Sequence, residues 1–197
     1  MRVLMIVAVA LLIAGCSSTT PSVQRYLLQE PELPVMNSEL ETKIVLGAVQ
    51  VSSFLAAGGL VYQLEQNQVH QANYHRWAES LQQQLGRQIR MGMQQQLPAS
   101  TWLPLSGSAH LRSLDYRLDL QIDAFHLTED GQVRVRGQWQ LRDYEQSFIG
   151  SDAFDIRQSL AEDGYPAMVS TLSETWHQAL QEIARSVEAN LIGSKND

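Results

Sequence analysis

The amino-acid sequence predicts an α+β fold, a single mostly antiparallel or mixed β-sheet with two long α-helices packed against it. Three observations lead there. Between residues 116 and 142, two segments alternate apolar and polar side chains at the strand period of two. Trp77, Leu81, Leu85, Ile89, Met93 and Leu97 recur every fourth residue, which is one stripe of an amphipathic helix roughly 30 Å long. A second stripe, Met168, Leu172, Trp176, Ala179, Ile183 and Val187, closes the chain.

The first residues are of a different kind. Met1-Arg2 supplies a positive charge, Val3 to Ile13 is an unbroken apolar run, and Ile13-Ala14-Gly15-Cys16 sets small residues before a cysteine. Charge, apolar run and small residues in that order form a secretory signal. The run is too short to span a bilayer, which takes about 20 residues. The cysteine directly after the small residues resembles the lipobox of bacterial lipoproteins. That resemblance implies cleavage after residue 15, a diacylglycerol on the Cys16 thiol and acylation of the freed amine. Each buried methylene contributes roughly 0.8 kcal/mol, so several acyl chains hold a protein at a membrane where one would not. Cys16 is the sole cysteine, and lipidation accounts for what would otherwise be a leftover thiol. Residues 16–22 are small and polar and read as a tether. Ser17, rather than aspartate, follows the cysteine; by resemblance to sorting in enteric-type bacteria this favours the inner leaflet of the outer membrane, facing the periplasm.

Removing the first fifteen of the 197 residues leaves 182, enough for one domain with a real core over residues 23–197. Hydrophobic residues at 44% and charged residues at 18% are globular values and argue against wholesale disorder. Without Arg2 the chain has thirteen basic against twenty-one acidic residues, a balance of −8. Such a domain is a poor candidate for nucleic acid, whose binding rests on neutralising phosphates.

In order along the chain, Val23 to Gln29 reads as a short strand and Leu33 to Thr42, behind Pro31 and Pro34, as a loop. Lys43 to Leu55 is rich in Val, Ile and Leu and reads as a buried strand. Ala56-Ala57-Gly58-Gly59 breaks it before a second strand from Leu60 to Gln66. The first long helix then starts near Trp77 and is ended by Pro98. The runs Gln82-Gln83-Gln84 and Gln94-Gln95-Gln96 fall off the apolar stripe and read as a neutral solvated face. Three strands follow, Tyr116 to Ala124, Val133 to Arg142 and Phe148 to Ile156, before the closing helix from about Pro166 to Leu191.

Glu129-Asp130-Gly131 predicts a three-residue hairpin loop with Gly131 at positive φ. That places Leu127 opposite Val133 and Phe125 opposite Val135. Leu118, Leu120 and Ile122 lie at even positions, whereas Trp139 and Leu141 lie at odd ones. The faces agree only with one extra residue near Ala124, a bulge, beyond which Leu120 pairs with Trp139, Leu118 with Leu141 and Asp123 with Arg136.

Little points to catalysis. The five histidines are scattered without HExxH spacing, and there is no nucleophile elbow, P-loop or dinucleotide fingerprint. Gly107-Ser108-Ala109-His110 sets a serine near a histidine, which is not triad geometry. Asp115, Asp119 and Asp123 share a strand face with Arg117 and Gln121, as a solvated sheet face requires. No cofactor or metal is expected beyond the covalent lipid on Cys16. Three of the four tryptophans lie on apolar stripes and read as core.

Tyr74-His75-Arg76-Trp77-Ala78-Glu79-Ser80-Leu81 is similar to the central signature of the ABC-type transport auxiliary lipoproteins, of which the PqiC-like (paraquat-inducible protein C) lipoproteins are a branch. The family pattern has a tyrosine, an Arg-Trp-Ala-Glu run, usually a proline and a leucine; Ser80 stands in the proline position. The order of the lipobox, Tyr26-Leu27-Leu28, the Ile44 to Val51 strand, the Phe125 and Gln138-Trp139-Gln140-Leu141 strands and Ile183-Ala184 also agrees. Where many relatives carry a proline and a Tyr-Leu-Asp-Arg run, this chain has Ser52-Ser53-Phe54-Leu55-Ala56-Ala57-Gly58-Gly59.

The resemblance implies a non-enzymatic accessory subunit of a lipid-transport system, held at a membrane by Cys16 and partnered by an MCE (mammalian cell entry) protein of the PqiB type. Self-association into a homo-oligomer stays open. Phe54 and Leu55 at the apolar loop either tuck into their own domain or contact that partner. Arg76 and Glu79 flank Trp77 at the expected helix start, where the helix dipole favours Glu79; they either fix the helix onto the sheet or contact the partner directly. The alternative function is a periplasmic ligand-binding or envelope-assembly lipoprotein with an apolar cleft between sheet and helices.

Overall fold

The computed structural model describes residues 21–65, 67–104 and 115–194. The signal, Cys16 and the Ser108–His110 pair lie outside them. Among the described residues eight strands and three helices follow in order: β1 (Gln24–Tyr26), β2 (Lys43–Val51), α1 (Ser53–Ala56), β3 (Gly59–Glu65), β4 (Gln68–Trp77), α2 (Leu81–Gln96), β5 (Thr101–Pro104), β6 (Tyr116–Leu127), β7 (Gln132–Asp143), β8 (Phe148–Ser159) and α3 (Tyr165–Ser194). They build one mixed sheet with α2 and α3 on a single face, the α+β architecture expected.

Strand β6 organises the sheet. On one side it pairs antiparallel with β7, which pairs antiparallel with β8. On the other side it is shared between two parallel neighbours, β2 along residues 116–122 and β3 at Tyr62 beside Leu127. Outside these, β5 lies parallel to β2, β4 antiparallel to β3, and β1 parallel to β4.

The hairpin has the loop expected, with Gly131 at φ 76° and Thr128 N–H bonded to the Gln132 carbonyl at 2.7 Å. Leu127 faces Val133, Phe125 faces Val135, Leu120 faces Trp139 and Leu118 faces Leu141. The bulge lies between Ile122 and Ala124. One pairing differs. Ala124, not Asp123, sits opposite Arg136, because Asp123 is itself the extra residue and drops out of the ladder. A second bulge lies between Leu46 and Val49 on β2. There the Ala48 N–H loses its strand partner and donates to Asp119 Oδ1 at 2.6 Å instead, while Arg117 Nε holds the same carboxylate at 2.9 Å. A Cβ on Gly47 would lie 2.2 Å from Asp119 Oδ1, so the carboxylate's place requires glycine.

Four sequence expectations are corrected. First, β2 ends at Val51 and the chain turns through α1, so Phe54 and Leu55 are helical. Second, residues 68–77 form a strand, and Trp77 ends it. Trp77 fitted the helical stripe because it is buried just ahead of Leu81, but Ser80 is extended and caps α2, its Oγ accepting the Gln83 N–H at 3.2 Å. Third, β5 is a short strand where none was expected. Fourth, the glutamines of α2 are not all solvated. Gln84, Gln88 and Gln96 are buried.

Three glutamines of α2, Gln84, Gln88 and Gln95, satisfy a long irregular segment. Residues 27–42 carry no strand or helix, and their backbone polar groups need partners. Gln84 Oε1 accepts the Leu28 N–H at 2.8 Å, Gln88 Nε2 donates to the Gln29 carbonyl at 2.8 Å, and Gln95 Oε1 accepts the Leu33 N–H at 3.2 Å. Ser173 Oγ of α3 accepts the Gln29 N–H at 3.1 Å. The amide series of α2 thus fastens the segment that an apolar stripe could not.

Between sheet and helices the core is closed. Leu85, Ile89 and Met93 of α2, Leu172, Trp176 and Ile183 of α3, and Leu118, Ile122, Val135 and Leu141 of the sheet are all essentially inaccessible. An aromatic chain crosses it, Trp77–Phe125–Trp176–Phe154, with ring centroids 6.2 Å apart at each step.

Candidate functional site

The Arg76–Glu79 run sits where four elements meet. Arg76 and Trp77 end β4, and the Trp77 N–H donates to the Gly58 carbonyl at 2.8 Å. Arg76 Nη2 donates to the Ala57 carbonyl at 3.1 Å. Those two bonds fix the turn after α1, where Gly58 has φ 86°. Close by, Gly59 admits no side chain, since a Cβ would lie 2.6 Å from the Ala72 carbonyl oxygen. The Ala78 N–H donates to the Tyr26 carbonyl at 2.8 Å, which holds β1. Glu79 lies one residue before the cap of α2 and pairs with Arg87, which raises the Arg87 pKa through that hydrogen bond. Its carbonyl accepts Gln84 Nε2 at 3.3 Å. Every member of the run is therefore engaged within its own chain.

Around α1 the two apolar residues part company. Leu55 is 1% exposed and belongs to the core, so it offers nothing to a partner; the expectation that it serves as a contact is corrected by its burial. Phe54 is half-buried, its ring edge-on to His126 at 5.8 Å. Ser53, Ala56 and Ala57 are exposed beside it. His126 is buried under this corner, and burial, then Arg134 and Arg136, push its pKa down.

A second aromatic group stands at the start of α3. Tyr26 stacks on His75 at 5.9 Å, His75 on Tyr165 at 3.8 Å, and Tyr26 Oη is hydrogen-bonded to His75 Nδ1 at 2.8 Å. Burial raises the pKa of both tyrosines. Beside them Tyr62, Leu127, Leu160, Gly164, Tyr165 and Met168 line an open apolar cleft of about 220 Å³. Ligand sites usually run from about 300 Å³ upward, so this cleft suits a packing defect better than a lipid. A polar hollow of about 420 Å³ lies on the helix-free face of the sheet and is lined by Gln50, Arg117, Asp119, Gln121, Gln138 and Gln140.

The acidic side chains of that face have structural partners. Asp115 Oδ2 accepts Thr42 Oγ1 at 3.0 Å and the Lys43 N–H at 2.8 Å, Asp119 holds the β2 bulge, and Asp123 accepts Gln121 Nε2 at 2.9 Å. Among the described residues no three His, Cys, Asp or Glu side chains converge on a metal position, and no helix is long and apolar enough to cross a membrane.

Known proteins give this arrangement a context. Residues 26–184 match the model of the ABC-type transport auxiliary lipoprotein component. The chain is 30% identical to the intermembrane transport lipoprotein PqiC of Escherichia coli K12 over 195 residues, which is 95% of this chain and 98% of that one. The same identity and coverage hold for PqiC of Shigella flexneri. Among solved structures, protein XCC0632 from Xanthomonas campestris, of family DUF330, superposes with a TM-score of 0.76 over 88% of this chain and 100% of that one. Its identity is 9%, so it speaks for the fold alone.

Proposed function

Because the chain belongs to the family of ABC-type transport auxiliary lipoproteins, we propose that it is the outer-membrane-anchored accessory subunit of an MCE-type lipid-transport system. The near full-length match to an intermembrane transport lipoprotein carries this reading. Lipid on Cys16 holds the protein to the inner leaflet of the outer membrane, in keeping with Ser17 after the cysteine. The folded domain faces the periplasm and docks the MCE protein, which conducts the lipid. The chain itself performs no chemistry.

The α1 corner is the docking point in this reading. Phe54 presents its free edge, Ala56 and Ala57 lie exposed beside it, and Arg76 holds the turn from beneath. Apolar side chains at the centre of an interface supply much of its energy. Arg76 and Glu79 act indirectly, by setting the corner on β4 and α2.

A photo-crosslinking residue at Ala56, in the full-length protein in intact cells, tests it. The expected product is a covalent adduct whose added mass is that of an MCE-domain protein, weakened at least about threefold by Phe54→Ser, a change that leaves the thermal melt nearly unaltered. An adduct only with an unrelated protein, or no adduct while the protein fractionates with the outer membrane, overturns the docking assignment.

A further inference from the structure

The bulge at Asp123 changes which residues of β6 face the core. Before it Leu118, Leu120 and Ile122 are core; beyond it Phe125 is core, and His126 lies on the face that α2 and α3 leave bare, directly across from Arg134 of β7. A histidine on that face would ordinarily stand in water. His126 is instead 8% exposed, with the Phe54 ring of α1 edge-on to it at 5.8 Å. Its Nδ1 is buried and has no hydrogen-bond partner among the described residues. Buried polar atoms are nearly always satisfied, so this one marks a place held under tension by its cover.

The charges around the ring are basic or already engaged. Arg134 and Arg136 of β7 act on it directly. Behind them on β8, Asp155 is bound by Arg134 Nε at 2.8 Å, and Arg157 pairs with Asp130 at 3.9 Å. On His126's own strand Asp123 accepts Gln121 Nε2 at 2.9 Å. In the β6–β7 turn Asp130 is held by Thr128, and Glu129 is exposed. α1 brings no charge, and β3 brings Tyr62 and, at its far end, Glu65. A proton on His126 would therefore sit beside two guanidinium groups in a buried place. Burial first, and the two arginines second, hold its pKa below the ordinary 6.5. Of these causes, burial is the one that a movement of Phe54 relieves.

We propose that His126 is a proton-operated latch on the α1 corner: neutral, it packs beneath Phe54, and protonated, it turns the Phe54 ring outward to join the exposed Ser53, Ala56 and Ala57. The backbone of the corner does not follow. The Ser52 N–H donates to the Ile122 carbonyl at 3.0 Å, Arg76 Nη2 holds the Ala57 carbonyl, and Leu55 is fixed in the core. Only the ring is free to swing, so the opening is local and the domain stays folded. Water reaches the imidazole in the open form, which therefore binds the proton more tightly than the closed form. Each pH unit below about 6.5 favours the open corner by up to tenfold, until the pKa of the closed form is passed. That the released ring then serves the MCE partner rests on the docking reading above; the movement itself does not.

The chain has four phenylalanines, and the other three are internal standards: Phe125 and Phe154 are core, whereas Phe148 is 58% exposed. The full-length protein is labelled with 4-fluorophenylalanine in detergent, and fluorine relaxation by a neutral, soluble paramagnetic chelate reads the exposure of each ring. Phe54→Leu assigns the signal. Between about pH 7.5 and about pH 5 the effect of the chelate on Phe54 should rise at least about threefold toward that on Phe148, while Phe125 and Phe154 stay shielded. Its midpoint should coincide with that of the His126 ring, followed by carbon NMR, and the change should vanish in His126→Gln. The Phe125 and Phe154 signals report whether that variant folds; if it does not, the match of midpoints in the unaltered protein decides. A Phe54 signal that stays shielded throughout the range, whether or not His126 titrates, overturns the latch. So does a change with the same midpoint in folded His126→Gln, or exposure of all the buried rings together, which would mean that the proton unfolds the domain. Absence of the Ala56 adduct in cells overturns the docking assignment and leaves this result standing.

Discussion

The two flanks of β6 are built in different ways from the same kind of strand. On the β7 side every partner comes from the next segment of chain, and the ladder runs from Tyr116–Asp143 to Leu127–Val133 with one bulge. On the other side β2 and β3 arrive from more than fifty residues upstream, run parallel and share the strand between them, with α1 and Gly58 at the break. The antiparallel flank is held by its own cross-strand side chains and by α3. The parallel flank depends on single polar groups at points where the ladder fails: Asp119 under the β2 bulge, Arg76 on the Ala57 carbonyl, and the α2 glutamines on the segment leading into β2. Local pairing tolerates irregularity by repacking. Long-range pairing needs specific groups to satisfy what the break exposes.

Breaking the antiparallel flank has the largest expected effect. Trp176 of α3 is wholly buried between Phe125 and Phe154, so Trp176→Ala removes the middle of the aromatic chain and opens a cavity. A loss of about 3–5 kcal/mol in unfolding free energy follows, measured by denaturant titration. A loss under about 1 kcal/mol would mean that the meander stands without the helix.

An intermediate effect is expected on the parallel flank. Asp119→Ala leaves the Ala48 N–H and Arg117 without their acceptor and costs about 1–3 kcal/mol. Asp119→Asn keeps an acceptor of the same shape and costs less. Equal losses for the two variants would show that charge pairing with Arg117, rather than the bulge N–H, is what the carboxylate serves.

The smallest effect concerns the corner where the flanks meet. His126 is held neutral, its pKa below the ordinary 6.5, by burial first and by Arg134 and Arg136 second. The unfolded chain takes up the proton at the higher pH, so this histidine lowers stability as pH falls below about 6.5 and continues to do so until its folded pKa is passed. Asp155 and Asp130, depressed mainly by hydrogen bonds from Arg134 and Thr128, contribute stability that is lost only at pH below their ordinary 3.8. Denaturation midpoints should therefore drop between pH 7 and 5, and the drop should shrink in His126→Gln. An unchanged drop assigns it to His177, half-buried and also with a lowered pKa.

Much of this was legible in advance, and the reason is local chemistry. The parity conflict between Leu118, Leu120 and Ile122 and Trp139 and Leu141 required a bulge, because side chains alternate strictly along a strand. Glu129-Asp130-Gly131 required its turn because glycine alone takes φ near 76° at no cost. The Arg76–Glu79 run was equally readable as a motif of the family. The helix stripe misled at one end, since Trp77 lies in step with Leu81 and Leu85 although it belongs to a strand.

By itself the sequence determined the elements whose partners are near in the chain: the meander, its turn and bulge, and the two long helices with their apolar faces. Only the tertiary structure decided that the polar segment 68–77 is an inner strand, that Leu55 is core while Phe54 stays half outside, and that Gln84 and Gln88 are buried. It also decided that β1 pairs with a strand 51 positions further on. Those outcomes turn on which backbone groups are left unsatisfied once distant segments meet. A glutamine carries no periodic signal of whether the carbonyl it will reach is its own helix's or that of a loop some sixty residues away.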